Sequence, residues 1–297
     1  MKLRKIIACI CIFLTGCSNK NNVVSDDIEK ETIQVVMLIG QSNASGVSKS
    51  EYLPNHFSQE QIDKFNNGYE KTKIAYQCEG FFGNTSPLQT FVNVKVGQGY
   101  NKQHFGPELG MADYLSKNYE KDIYIIKVAY GGTGLATDWK SPSFSSGKNG
   151  NCYDEFVDYA KARIEQLGQY YKVEVKAFCW MQGENDSCND EYTRVYGNYL
   201  SMFVEDLRKE FKEYSSKNGI GFVDAAITKA WTNYQLINSA KSSVAQTNSK
   251  NIFLAEAEEL SYSKEPEGSP DMAHLDSDAM ITLGNMFAKA LVDNFLD

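Results

Sequence analysis

Histidine is scarce and basic residues are outnumbered: the chain has 3 His, and 30 Lys and Arg against 38 Asp and Glu, for a formal net charge of −8. Three histidines, with no Cys/His spacing of the zinc-site kind, argue against a metal centre, and no cofactor is expected. An acidic protein repels nucleic-acid phosphates, so no nucleic-acid partner is expected. Beyond the first 16 residues no apolar run approaches the length that crosses a bilayer. Two motifs are also missing. The absence of Gly-x-Ser-x-Gly weighs against an ordinary α/β-hydrolase lipase, and the one Gly-Gly loop lacks the Gly-Lys-Ser/Thr ending of a phosphate loop. No internal repeat and no low-complexity region is present.

What is there begins with a leader. Met-Lys-Leu-Arg-Lys, then Ile-Ile-Ala-Cys-Ile-Cys-Ile-Phe-Leu, is a positive start followed by a short apolar run, as in an export signal. Leu14-Thr15-Gly16-Cys17 resembles the lipobox of bacterial lipoproteins, cut before a cysteine that is then acylated; the alternative is an ordinary secretory signal with an incidental cysteine. The expectation is a signal over 1–16, a lipid anchor on Cys17 holding the protein at a membrane of the cell envelope (the outer membrane), and a polar tether over 17–32. Removing the leader takes Lys2, Arg4 and Lys5 from a chain of charge −8 and leaves −11. Cys78, Cys152, Cys179 and Cys188 then remain in an oxidising compartment, where one or two disulfides are expected. Cys152 and Cys188, both in loop-like stretches, are the favoured pair; Cys179, in the apolar run Ala-Phe-Cys-Trp, reads as a buried free thiol.

From residue 33 onwards apolar runs of strand length alternate with amphipathic stretches. The predicted strands are 33–39, 122–129, 173–180, 221–227 and 251–257, nearly continuous in apolar residues, as parallel strands covered on both faces are. The predicted helices are 107–118, 154–170, 190–212, 233–246 and 277–295. This alternation predicts one α/β domain over 33–297, a three-layer αβα sandwich with a mostly parallel five-stranded sheet. Residues 46–106, aromatic and rich in Asn and Gly, read as one long insertion after the first strand, over one end of the sheet.

Functional groups in such sheets gather beyond the carboxyl ends of the strands, and four of those ends carry unusual polar residues. Gly40-Gln41-Ser42-Asn43 places a serine at a strand-to-helix turn, where it is either an exposed nucleophile or a helix-capping serine. Gly131-Gly132-Thr133-Gly134 offers backbone N–H groups, or is simply a tight turn. Trp180-Met181-Gln182-Gly183-Glu184-Asn185-Asp186 offers the Gln182 amide and the Glu184 carboxylate, or is a core tryptophan followed by a polar loop. Asp271-Met272-Ala273-His274 places an acid where it can fold back on a histidine and fix its tautomer. His56 and His104 lie in the insertion without such a partner, which leaves His274 as the candidate base. Together the four blocks form the parts list of acyl transfer through a serine.

Their order, with Trp139 beyond the glycine loop and with His104-Phe105-Gly106-Pro107-Glu108-Leu109, resembles the SGNH hydrolases, and within them the sialate O-acetylesterase and carbohydrate esterase family six branch. The likeness spans roughly residues 33–292. It implies an SGNH-hydrolase-like domain that removes O-acetyl groups from a carbohydrate, sialic acid or acetylated xylan or another glycan. Ser42 would attack, His274 would move the proton, and Asp271 would orient His274; Glu184 is a second acid that could share or replace that role. The N–H groups of Ser42 and Gly132 and the Gln182 amide would hold the oxyanion, with Gln41 and Asn43 also at the oxyanion or substrate. In the wider family an Asn stands where this chain has Gln182, which leaves the third donor open. Two other readings compete: a glycan-binding surface lipoprotein that no longer turns over, and an esterase or thioesterase for other acyl chains. The net charge tilts the substrate towards neutral acetylated glycans rather than a carboxylate-bearing sugar.

Overall fold

The computed structural model describes residues 30–80, 83–84, 87–262 and 264–297. The leader, Cys17 and the tether as far as residue 29 lie outside the described residues. The chain order is β1 (Thr32–Gly40), α1 (Ser42–Ser45), β2 (Ser48–Lys49), α2 (Gln59–Asn67), β3 (Tyr69–Gly80), β4 (Gly83–Asn84), β5 (Val92–Val94), β6 (His104–Phe105), α3 (Pro107–Asn118) and β7 (Ile123–Tyr130). It continues through α4 (Asn151–Gly168), β8 (Lys172–Met181), α5 (Glu184–Ser187), α6 (Asp190–Glu210), β9 (Gly221–Ala225), α7 (Tyr234–Ala245), β10 (Asn251–Leu254) and α8 (Ser277–Asn294).

One eight-stranded sheet runs in the order β10-β9-β8-β1-β7-β3-β4, with β5 paired to β3. Six of its strands are parallel, and β4 and β5 run antiparallel to β3. β1 sits between β7 and β8, and every residue of it after Thr32 is buried. That burial is why its sequence is almost unbroken in apolar residues. All five expected strands and all five expected helices are present, and the three-layer α/β class holds.

The sheet is wider than the five strands expected. The additional parallel strand, β3, comes from within the segment read as an insertion. Its sequence, Tyr-Glu-Lys-Thr-Lys-Ile-Ala-Tyr-Gln-Cys, mixes charged and apolar residues because it lies towards an edge, half-covered, and so lacks the apolar run of a central strand. α4 also begins earlier than expected, at Asn151, which takes Cys152 out of a loop and into a helix where it is buried. None of Cys78, Cys152, Cys179 and Cys188 is in a disulfide, so the favoured Cys152–Cys188 pair is not formed. Cys179 is the buried free thiol expected, and burial pushes its pKa up.

Aromatic packing fills one side of the sheet: Trp180 and Phe178 of β8 meet Trp139, Phe156 of α4, and Phe203 of α6 with Phe211 just beyond it. On the other side α3 and α8 pack against each other with almost no side-chain spacer. A Cβ on Gly110 would lie 2.1 Å from the Ile281 carbonyl oxygen, and one on Gly284 would lie 2.1 Å from that of Pro107.

Candidate active site

Ser42 follows the central strand. Gly40 has φ +146°, and a Cβ there would lie 2.0 Å from the Met181 carbonyl oxygen, so only glycine lets β1 end this close to β8. The Gln41 N–H donates to that same oxygen at 3.0 Å. The chain then turns into the four-residue α1, where Ser45 N–H and Gly46 N–H donate back to the Gln41 and Ser42 carbonyls. Ser42 is 9% exposed, and its hydroxyl has no hydrogen-bond partner among the described residues. It is therefore not spent as a helix cap, the alternative its position allowed.

Asn43 links the serine turn to two other blocks. Its Nδ2 donates to Glu184 Oε1 at 2.9 Å, and its Oδ1 accepts the Leu275 N–H at 3.2 Å. Leu275 is the neighbour of His274, and its carbonyl in turn accepts Ser48 Oγ–H at 2.7 Å. Both polar groups of the Leu275 backbone are thus held by the segment that carries the serine. His274 Nδ1 meets Asp271 Oδ2 at 2.6 Å, while Asp271 Oδ1 accepts the Ala273 N–H at 2.9 Å. That bond with His274 is the main reason the Asp271 pKa lies below its ordinary value. With Nδ1 engaged, Nε2 is the nitrogen left for a substrate-side proton.

Glu184 and Gln182 are employed differently from the sequence expectation. Glu184 is fully buried, its pKa is raised by burial, and its hydrogen bond runs to Asn43 rather than to His274. Asp271 is the acid hydrogen-bonded to the histidine, while Glu184 is linked through Asn43 to the neighbouring Leu275 N–H. Gln182 is also fully buried; its Nε2 donates to Asp186 Oδ2 at 2.6 Å and to the Thr133 carbonyl at 3.0 Å, and its Oε1 accepts Tyr196 Oη–H at 3.0 Å. An amide so occupied braces the glycine loop instead of pointing a free N–H at an oxyanion. Gln41 Oε1 accepts from the Asn185 N–H at 3.2 Å, which ties the first block to the third.

The glycine loop follows the end of β7 at Tyr130. The Gly132 and Ser42 N–H groups have no acceptor among the described residues, which leaves two donors beyond the carboxyl ends of β7 and β1. The loop is fastened by a residue whose role the sequence did not disclose. Asp186 accepts the N–H groups of Leu135 and Ala136 at 2.8 and 3.0 Å as well as the Gln182 amide, and burial raises its pKa. Trp139 Nε1–H donates to Thr133 Oγ1 at 2.9 Å and fixes the far side of the same loop. Asp186 belongs to the third block by sequence, and only its three donors reveal its function. Ser48 had no signal at all beyond being a serine. Among the described residues no cluster of His, Cys, Asp and Glu is arranged to hold a metal ion.

Comparison with known proteins gives the chain its family. The family model described as "Carbohydrate esterase, sialic acid-specific acetylesterase" matches residues 32–293. A probable carbohydrate esterase of Arabidopsis thaliana is 23% identical over 276 residues, covering 88% of this chain and 91% of the plant protein. The X-ray structure of that Arabidopsis protein superposes with a TM-score of 0.61 at 19% identity, over 89% of this chain and 99% of the other. The crystal structure of NanS gives 0.60 at 17% identity, over 90% and 98%. A carbohydrate acetylesterase from Xanthomonas citri gives 0.52 at 13% identity, over 86% of this chain and 55% of that one.

Proposed function

Because the chain belongs to the sialic acid-specific acetylesterase family of carbohydrate esterases, we propose that it removes O-acetyl groups from a glycan through an acetyl-enzyme on Ser42. The observation that carries the reading is the grip of Asn43 and Ser48 on Leu275, which holds the Asp271–His274 pair to the serine turn. Ser42 Oγ attacks the acetyl carbonyl carbon as its proton passes to His274 Nε2. The carbonyl oxygen becomes an oxyanion facing the Ser42 and Gly132 N–H groups, each such donor being worth about 3 kcal/mol in the transition state. Collapse breaks the ester C–O bond, and His274 returns the proton to the departing sugar oxygen. Water, deprotonated by His274, then attacks the acetyl-serine; acetate leaves and Ser42 recovers its proton. Asp271 holds the imidazole in the required tautomer and stabilises its charged form. Catalytic hydrogen bonds of this kind commonly close only once substrate is bound, consistent with a Ser42 hydroxyl that has no partner among the described residues.

The substrate we favour is a neutral acetylated glycan. A cavity of about 110 Å³, which neither Ser42 nor Gly132 lines, is bounded by His274 and Asp271 with Lys49, Tyr52, Glu265 and Asp276, so carboxylates outnumber cations beside the histidine. Such a surface repels a sugar carboxylate. Acetate release from acetylated xylan and from O-acetylated sialic acid tests both parts of the reading. The expected result is release from xylan, abolished in Ser42→Ala. Release that survives Ser42→Ala would sink the serine mechanism, and a preference for the sialate would sink the neutral-substrate reading. Export and attachment through an acylated Cys17 belong to the same proposal. In the full-length protein Cys17→Ala is expected to leave the membrane fraction, and its retention there would refute the anchor.

A further inference from the structure

Beneath the Gly183–Glu184 turn lies a buried ion pair that the reaction above does not use. Lys241 of α7 and Asp224 of β9 are 1% and 3% exposed, with Nζ and Oδ1 2.6 Å apart. Lys241 Nζ also donates to the Ala225 carbonyl at 2.8 Å, which uses two of its three N–H groups. α7 packs directly on the turn: a Cβ on Gly183 would lie 2.8 Å from Ile237 Cγ2 and 3.3 Å from Lys241 Cε. Glu184 Oε2 and Asp224 Oδ2 are both buried, and neither has a hydrogen-bond donor among the described residues. Two coupled carboxylates with open oxygens are costly in an apolar interior unless a cation compensates them.

Lys241 is the lysine whose charge acts on both carboxylates. The other titratable groups facing Glu184 are Asp224 from β9, His274 from the loop before α8, and Tyr196 from α6. The charge on Glu184 matters because of what Asn43 does with it. An ionised Glu184 only accepts, so it takes the Asn43 NH₂ and leaves the amide oxygen facing the Leu275 N–H. A protonated Glu184 can donate to the amide oxygen instead, which turns the NH₂ onto another donor and breaks the link beside His274.

We propose that Lys241 is a positioning residue of the esterase: its ammonium keeps Glu184 a carboxylate, Glu184 fixes the Asn43 amide, and Asn43 sets the backbone next to His274. This rests on the reading of Ser42 and His274 as the reacting pair. Burial raises the Glu184 pKa; the Asn43 hydrogen bond opposes that rise most, and the Lys241 charge adds to the opposition.

The test is an infrared titration of the Glu184 carboxyl, its band assigned by its loss in Glu184→Gln, alongside pH profiles of kcat/KM with 4-nitrophenyl acetate. In Lys241→Met the Glu184 titration is expected to move up by about one pH unit or more. In Asp224→Asn, where Lys241 has one carboxylate fewer to satisfy, it is expected to move down. The acid limb of kcat/KM should follow in each direction, and Lys241→Met should move it no further in a Glu184→Gln background. A merely structural pair would lower activity in both variants without opposite shifts. An unmoved Glu184 titration in folded Lys241→Met, or an acid limb that ignores it, overturns the proposal. If Lys241→Met does not fold, the direction of the shift in Asp224→Asn decides. The infrared signal is independent of turnover, so an enzyme inactive on every acetyl ester overturns the reaction reading separately from the charge on Glu184.

Discussion

At the scale of single residues, two carboxylates compete for one role, and geometry separates them. Asp271 bonds His274 at 2.6 Å, whereas Glu184 bonds Asn43 and is fully buried. Asp271→Asn is therefore expected to lower kcat by about two to four orders of magnitude with little change in KM, as the imidazole loses its tautomer and its counter-charge. Glu184→Gln keeps an acceptor for Asn43 but, like a protonated Glu184, also offers a donor to the Asn43 amide oxygen; its cost is expected to be real yet well below that of Asp271→Asn, because His274 keeps its own acid. Steady-state kinetics on an acetyl ester check both, and the reverse ranking would return the orienting role to Glu184. Asp271 also carries a pH dependence. Its pKa in the fold is held below the ordinary value of 3.8. Its contribution to stability is therefore full above 3.8 and is lost as pH falls through the lowered value. Urea unfolding below that pH should show this loss in the parent and not in Asp271→Asn.

At the scale of elements, the site depends on how α8 begins. Glu265 accepts the Ser277 N–H at 2.9 Å and the Ser277 hydroxyl at 2.8 Å, and it meets His56 Nε2 at 2.9 Å. A carboxylate at a helix N-terminus satisfies orphan N–H groups and suits the helix dipole. This one also closes the loop that carries Asp271 and His274, because the same loop runs from Glu265 to the first turn of α8. Glu265→Ala is expected to cost about 1 kcal/mol of stability, the usual value of a lost cap. It should also lower kcat by loosening His274. Thermal unfolding and kinetics on the same variant measure the two effects, and a stable variant with unchanged kcat would show that the loop does not need this anchor.

At the scale of the whole molecule, a second buried ion pair ties the sheet to α3. Lys127 of β7 and Glu108 of α3 are both fully buried, 2.8 Å apart, and Lys127 also donates to the Gln98 carbonyl at 2.8 Å. Glu108 Oε1 accepts the Gly106 N–H at 2.9 Å, so the pair joins the central strands, the start of α3 and the segment before it. Removing one member strands the other without solvent. Lys127→Met is expected to destabilise the domain by about 3–5 kcal/mol. The double variant Lys127→Met/Glu108→Gln should recover much of that loss, since no uncompensated charge remains. Urea midpoints of the single and double variants decide it; equal losses would assign the effect to packing rather than to charge.

Local pattern was enough for the five strands with continuous apolar runs, for the helices between them and for the four polar blocks at the strand ends, because full burial and helical periodicity mark the chain residue by residue. It offered the Asp271–His274 bond, which spans one short turn, but left Glu184 as a rival acid until the fold turned Glu184 towards Asn43. β3 was not legible, since a half-covered strand near an edge is free to carry charge. That Cys152 and Cys188 do not pair was not legible either, since an even number of cysteines says nothing of which ones the fold brings together. The bond of Gln182 to Thr133, the clamp of Asp186 on Leu135 and Ala136 and the grip on Leu275 join residues about 50 to 230 positions apart, and the Lys241–Asp224 pair joins a strand to the helix after it. A side chain's chemistry can be read from its type, but its partner is whatever the fold brings within 3 Å, and only the tertiary structure decides that.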